Sequence, residues 1–79
     1  MTRIPWAEHI TIDPELHHGE PCIRGTRIPI RMILGSLADG MTPNEICAVF
    51  PQLTPADVYA TLSYAADVVQ QDILLPLAS

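Results

Sequence analysis

The chain reads as a mainly α protein, a three-helix bundle of the helix-turn-helix kind behind a small N-terminal β-strand region. Three observations lead there: an apolar stripe at helical spacing over residues 30–41, two Thr-Pro helix starts at Thr42 and Thr54, and polar-apolar alternation ahead of a Gly25-Thr26 pair.

The elements follow in order. In residues 9–13, Ile10 and Ile12 alternate with His9, Thr11 and Asp13, the pattern of a half-buried strand that Pro14 ends. Residues 15–20 read as a connecting loop. Pro21-Cys22-Ile23-Arg24 and Arg27-Ile28 are short strand candidates flanking Gly25-Thr26, where glycine accepts the positive φ of a tight hairpin or bulge. From Pro29 the period changes: Ile30, Ile33, Leu34, Leu37 and Met41 fall on one side of a helix, with Pro29 expected at its first helical position and Gly40 at its left-handed C-terminal cap. Gly35 inside this helix suggests that another backbone passes close by.

Thr42-Pro43-Asn44-Glu45 is a full capping box, in which the Thr hydroxyl and the Glu carboxylate each accept an otherwise unpaired N–H. Ile46, Val49 and Phe50 form the expected inner face of this second helix, which Pro51 ends. Thr54-Pro55-Ala56-Asp57 repeats the start with Asp in place of Glu. The third and longest helix is expected to stack Val58, Leu62, Ala65 and Val69 inward, with Tyr59 and Ala66 flanking. Residues 1–8 form an N-terminal segment, 9–70 a single domain, and 71–79 a partner-binding tail.

Composition narrows the function. The chain has 79 residues, enough for one core. No apolar run approaches the roughly 20 residues that cross a bilayer, and the N-terminus lacks the basic start and long apolar segment of a secretory signal, so a cytoplasmic, membrane-free protein is expected. Cys22 and Cys47 stand 25 residues apart, belong to no C-x-x-C pair, and read as small buried hydrophobes. Net charge is −5, unevenly placed. Arg3, Arg24, Arg27 and Arg31 balance Glu8, Asp13, Glu15 and Glu20 in residues 1–31, whereas residues 32–79 hold five acids and no base. That half should repel nucleic acid and favour basic protein surfaces.

The run Gly19-Glu20-Pro21-Cys22-Ile23-Arg24-Gly25-Thr26-Arg27-Ile28-Pro29 resembles the core motif of the family known as domain of unknown function 433. The likeness continues through Ile10 to Pro14, Gly40 to Glu45, Pro51 to Thr54 and Tyr64-Ala65, and so covers about residues 9–69 in the family's order and spacing. It implies a homeodomain-like fold and a role as antitoxin beside a PIN-like ribonuclease toxin, similar to VapB antitoxins. The implied mechanism is stoichiometric: a dimer lays its C-terminal segments into the toxin's acidic, metal-binding cleft, and the complex represses its own operon. A reading helix normally presents Arg, Lys, Asn or Gln to DNA. The one here offers Ala56, Asp57, Tyr59, Ala60, Thr61 and Ser63.

Operator contact is therefore assigned to Arg24, Arg27 and Arg31, whose guanidinium forks suit phosphate oxygens, against internal pairing with Glu15, Glu20 or a neighbouring subunit's acids. Toxin contact is assigned to Asp72, Ile73, Leu74, Leu75 and Leu77, because contiguous exposed aliphatics mark interaction surfaces; a dimer interface and self-packing are the other readings of that tail. His17, His18 and Cys22 lack the further ligands of a zinc site, and no nucleophile-base pair or phosphate-cradling loop occurs, so neither metal, cofactor nor enzymatic activity is expected. A homodimer is expected from strand edges at 9–13 and 21–28. The alternatives are a DNA-binding regulator without a toxin and a plain dimerisation or adaptor module.

Overall fold

The structure, a computed structural model, describes residues 3–15 and 17–72. A 3-10 turn at Trp6–Glu8 leads into β1 (Ile10–Thr11), a second turn at His17–Gly19, β2 (Cys22–Ile23), and three helices: α1 (Ile30–Ala38), α2 (Pro43–Val49) and α3 (Pro55–Asp72). The protein is mainly α, a small three-helix bundle with a two-stranded sheet at its N-terminal end.

β1 and β2 run antiparallel, Ile10 opposite Ile23 and Thr11 opposite Cys22, and Pro29 bridges Cys22 from the other side. The intervening chain turns tightly. The Thr26 amide donates to the Ile23 carbonyl at 3.0 Å, the Thr26 hydroxyl donates to the same carbonyl at 2.8 Å and accepts the Ile28 amide at 3.0 Å, and the Ile23 amide donates to the Ile28 carbonyl at 3.0 Å. Gly25 takes φ +81° at the tip, a conformation that costs other residues a Cβ clash. The expected strand at 9–13 shrinks to two residues, so Ile10 is buried while Ile12 is exposed. The chain leaves the ladder after Thr11, and Asp13 then accepts the Glu15 amide in a local turn. Strands this short present little edge, which removes the basis on which a dimer was expected from them.

α1 begins one residue later than expected. Pro29 is its N-cap, in extended conformation (φ −71°, ψ 144°), because the bridge to Cys22 holds it outside the helix. The other end matches: Gly40 has φ +98°, its amide donates to the Leu37 carbonyl, and the Met41 amide donates to the Ser36 carbonyl, together a Schellman ending. Gly35 is exposed, with open space where a Cβ would sit, so among the described residues no backbone crosses there.

The α2 capping box is complete, the Glu45 amide donating to the Thr42 hydroxyl and the Thr42 amide to the Glu45 carboxylate. Ile46 is fully buried, yet Val49 is exposed and Cys47 packs in its place beside Phe50. At about 100° per residue, 46, 50 and 47 span one arc and 49 falls outside it.

The core comprises Ile10, Ile23, Ile30, Ile33, Ile46, Leu53 and Val58, with Trp6, Ile28, Leu37, Met41, Cys47, Phe50 and Tyr64 packed against it. α3 meets α1, α2 and the Trp6 turn along a side made of Val58, Ala60, Thr61, Ser63 and Tyr64. Of the stripe expected to face inward, only Val58 is buried. Leu62 is 40% exposed, Val69 60% and Tyr59 49%, and Ala65 is half-buried. Ala60, Thr61 and Ser63 let α3 lie close against its neighbours beside Val58 and Tyr64, and Tyr59, Leu62 and Val69 turn outward. The Thr61 hydroxyl donates to the Asp57 carbonyl one turn back, which makes its burial affordable.

Candidate functional site

The three candidate arginines come from one loop and the first turn of α1, but they do different things. The Arg24 guanidinium donates to the carbonyls of Ala7 (3.0 Å) and Glu8 (3.3 Å), tying the hairpin tip to the N-terminal turn. Arg31 pairs with Glu20. These contacts realise the internal-pairing alternative for Arg31, while Arg24 uses backbone oxygens that no acidic residue announces. Arg27 is exposed in a shallow depression lined by Thr11, Gly25, Thr26, Ile28 and Gln52, and has no ion-pair partner among the described residues. Of the three, it is the guanidinium left able to grip a phosphate or carboxylate two oxygens at a time.

A second set of polar contacts fastens the N-terminal segment to α3, and sequence reasoning missed it. Asp67 accepts from the Trp6 indole nitrogen at 2.8 Å and from the Arg3 guanidinium at 2.9 Å, one on each carboxylate oxygen. Trp6 also meets Tyr64 edge to face, ring centroids 4.8 Å apart. One turn into α3, Asp57 Oδ2 accepts the Thr54 amide at 3.0 Å, the cap expected there, while Oδ1 lies 2.8 Å from His9 Nδ1. Since a carboxylate can only accept, that His9 nitrogen carries the proton. The Thr-Pro-x-Asp spacing pointed to the cap. Nothing local pointed to partners 48 and 61 residues away.

Cys22 lies behind this corner, 1% exposed, its thiol within 3.5 Å of the Glu20 carbonyl. Burial pushes the thiol above its ordinary pKa, the Glu20 carboxylate adds to the rise, and Arg31 opposes it. Cys47 is half-buried, and both cysteines are free. Among the described residues no three His, Cys, Asp or Glu side chains gather as metal ligands would, and no helix is long and apolar enough to cross a membrane.

The outer side of α3 is the remaining surface. Of the residues expected to face DNA, Ala60, Thr61 and Ser63 are buried. The helix instead displays Tyr59, Leu62 and Val69 on this side, large apolar side chains with no base among them, and Val68 is exposed on the arc of Thr61 and Tyr64. Asp72 closes the helix, and the toxin-contact residues Ile73, Leu74, Leu75 and Leu77 lie outside the described residues.

No curated protein and no solved structure matches the chain. A family model does, over residues 10–65, most of the chain: the one described as protein of unknown function (DUF433). The matched stretch runs from β1 through the arginine turn to the middle of α3, and on that ground the chain belongs to the DUF433 family.

Proposed function

We propose that this protein is the antitoxin of a type II toxin-antitoxin pair, acting in the cytoplasm by occupying a PIN-like ribonuclease rather than by transforming a substrate. The observation that carries the reading is the outer side of α3, which exposes Tyr59, Leu62 and Val69 and leads directly into the acidic, aliphatic run Asp72-Ile73-Leu74-Leu75-Pro76-Leu77. A chain with a small core does not leave that much apolar side chain in water without a use for it. The tail's lone acid and four aliphatics suit a hydrophobic groove with a basic rim beside a nuclease cleft.

The test is co-expression with the product of the adjacent gene. The full chain is expected to purify with that protein and silence its ribonuclease activity, and a chain lacking residues 71–79 is expected to lose both while keeping its helical circular dichroism. Retained silencing by the shortened chain would refute docking through the tail.

Operator binding is a second reading, favoured by Arg27. With Arg24 and Arg31 engaged internally, two copies of the chain would offer two such arginines, so log affinity against log salt should fall with a slope of about −2. A gel-shift experiment on the upstream DNA that shows no complex even at low salt removes this reading.

A further inference from the structure

We infer that the depression beside Arg27 is a binding site for a single phosphate group on a small molecule, as free phosphate or as a phosphomonoester. The depression, about 620 Å³, is lined from three separate parts of the fold: Thr11 of β1, the turn from Gly25 to Ile28, and Gln52 in the connection between α2 and α3. Each part is held from behind. Thr11 stands opposite Cys22 in the ladder, the Thr26 hydroxyl is engaged with Ile23 and Ile28, and the Leu53 amide beside Gln52 donates to the Phe50 carbonyl at 2.9 Å. The walls are therefore in place before any ligand arrives.

The lining is rich in donors and holds no acid. The Arg27 guanidinium, the Gln52 carboxamide and the Thr11 hydroxyl can all donate, and none has a side-chain hydrogen-bond partner among the described residues. A carboxylate presents two oxygens in one plane, which a single guanidinium satisfies. A phosphate presents three, spread in space, and takes donors from more than one side. Donors set around one depression on three parts of the fold suit the phosphate. Gly25, with open space where a Cβ would sit, and half-buried Ile28 leave room beside it for the body of an ester.

Charge favours one anionic group over a polymer of them. The chain carries −5, and the exposed acids Glu8, Asp13 and Glu15 share its N-terminal part with Arg27. Arg3, Arg24 and Arg31 are engaged with Asp67, with backbone carbonyls and with Glu20. Nucleic acid draws its affinity from many phosphates neutralised at once, so a duplex would gain one such contact per copy while its other phosphates meet the acids. A small ligand gains the same contact without that repulsion. The inference goes beyond the antitoxin and operator readings and rests on neither.

Amide-resolved NMR titration of the full chain with inorganic phosphate, at an ionic strength held constant with chloride, tests it. Saturable shifts are expected at Thr11, at residues 25–28 and at Gln52. Arg27→Gln is expected to weaken binding by about tenfold or more, the loss of one charge-assisted contact, and to keep the wild-type spectrum elsewhere because Arg27 is exposed. Phenyl phosphate separates the two sources. Tighter binding than inorganic phosphate, with larger shifts at Gly25 and Ile28, identifies an ester as the ligand; equal or weaker binding identifies the free ion. Shifts that never saturate, that persist undiminished in Arg27→Gln, or that acetate produces equally well overturn the proposal. A short DNA duplex that moves the same amides at lower concentration than phosphate also overturns it, in favour of the operator reading, whereas a duplex that leaves them unmoved removes the operator reading and not this one.

Discussion

The two sides of α3 differ in a way that reverses the usual expectation for a helix in a small protein. The side packed inward is made of Val58, Ala60, Thr61 and Ser63, and two of its neighbours, Asp57 and Asp67, hold the N-terminal segment through His9, Trp6 and Arg3. Facing outward are Tyr59, Leu62 and Val69. Small and hydrogen-bonded residues inside, with bulky apolar residues outside, are consistent with a helix that serves two interfaces: one closed within the chain by close approach and polar fastening, the other awaiting a partner. Fit rather than hydropathy separates them, since Val58 and Tyr64 pack inward among the small residues while Tyr59 and Val69 are left uncovered.

That contrast can be broken at graded strengths. The largest effect is expected from Ile46→Ala, which empties the fully buried floor on which α3 rests and should cost about 2–5 kcal/mol in urea denaturation, enough to unfold much of so small a protein. Next comes Ala60→Leu, which adds bulk where α3 has no room and should cost about 1–3 kcal/mol; a neutral result would mean the inner side is loosely packed. Asp67→Ala removes the acceptor shared by Trp6 and Arg3. Because that carboxylate is 43% exposed, the loss should be near 1 kcal/mol, accompanied by a red shift in the emission of the single tryptophan. Leu62→Ser should change the stability of the isolated fold by less than about 0.5 kcal/mol, and a larger loss measured on a single copy would show that the outer side already has an intramolecular cover.

How much of this was legible in the sequence depends on the distance between partners. The helix starts at Thr42 and Thr54 and the ending at Gly40 could be read because each cap is completed within three or four residues. The side of α3 that faces the core could not. Leu62 and Val69 have helical spacing whether their cover is this chain or another, so periodicity reveals that a stripe exists and is silent on what lies against it. Ala60, Thr61 and Ser63 gave no hydrophobic signal, although close approach buries them. Pro29 was displaced by one position because its pairing with Cys22 decides its conformation. Among the arginines, Glu20 was visible as a partner for Arg31, but Arg24 donates to main-chain oxygens of Ala7 and Glu8, and every residue has one of those. The shrunken β1 follows from the same cause: alternation at Ile10 and Ile12 is local, whereas the length of the ladder is set by what β2 offers.

The thiol of Cys22 gives that corner of the molecule a timer. Shut behind the hairpin with its pKa raised chiefly by burial, it is a poor nucleophile while the fold is intact, so alkylation must await an opening of β1 from β2, and half-buried Cys47 supplies the faster reference reaction. Stability linked to this group is fully present below the ordinary thiol value and is lost as pH climbs through the raised folded value, because the unfolded chain releases the proton first. Solution more alkaline than the ordinary thiol value should therefore hasten labelling at Cys22 twice over, by making more thiolate and by opening the door to it more often.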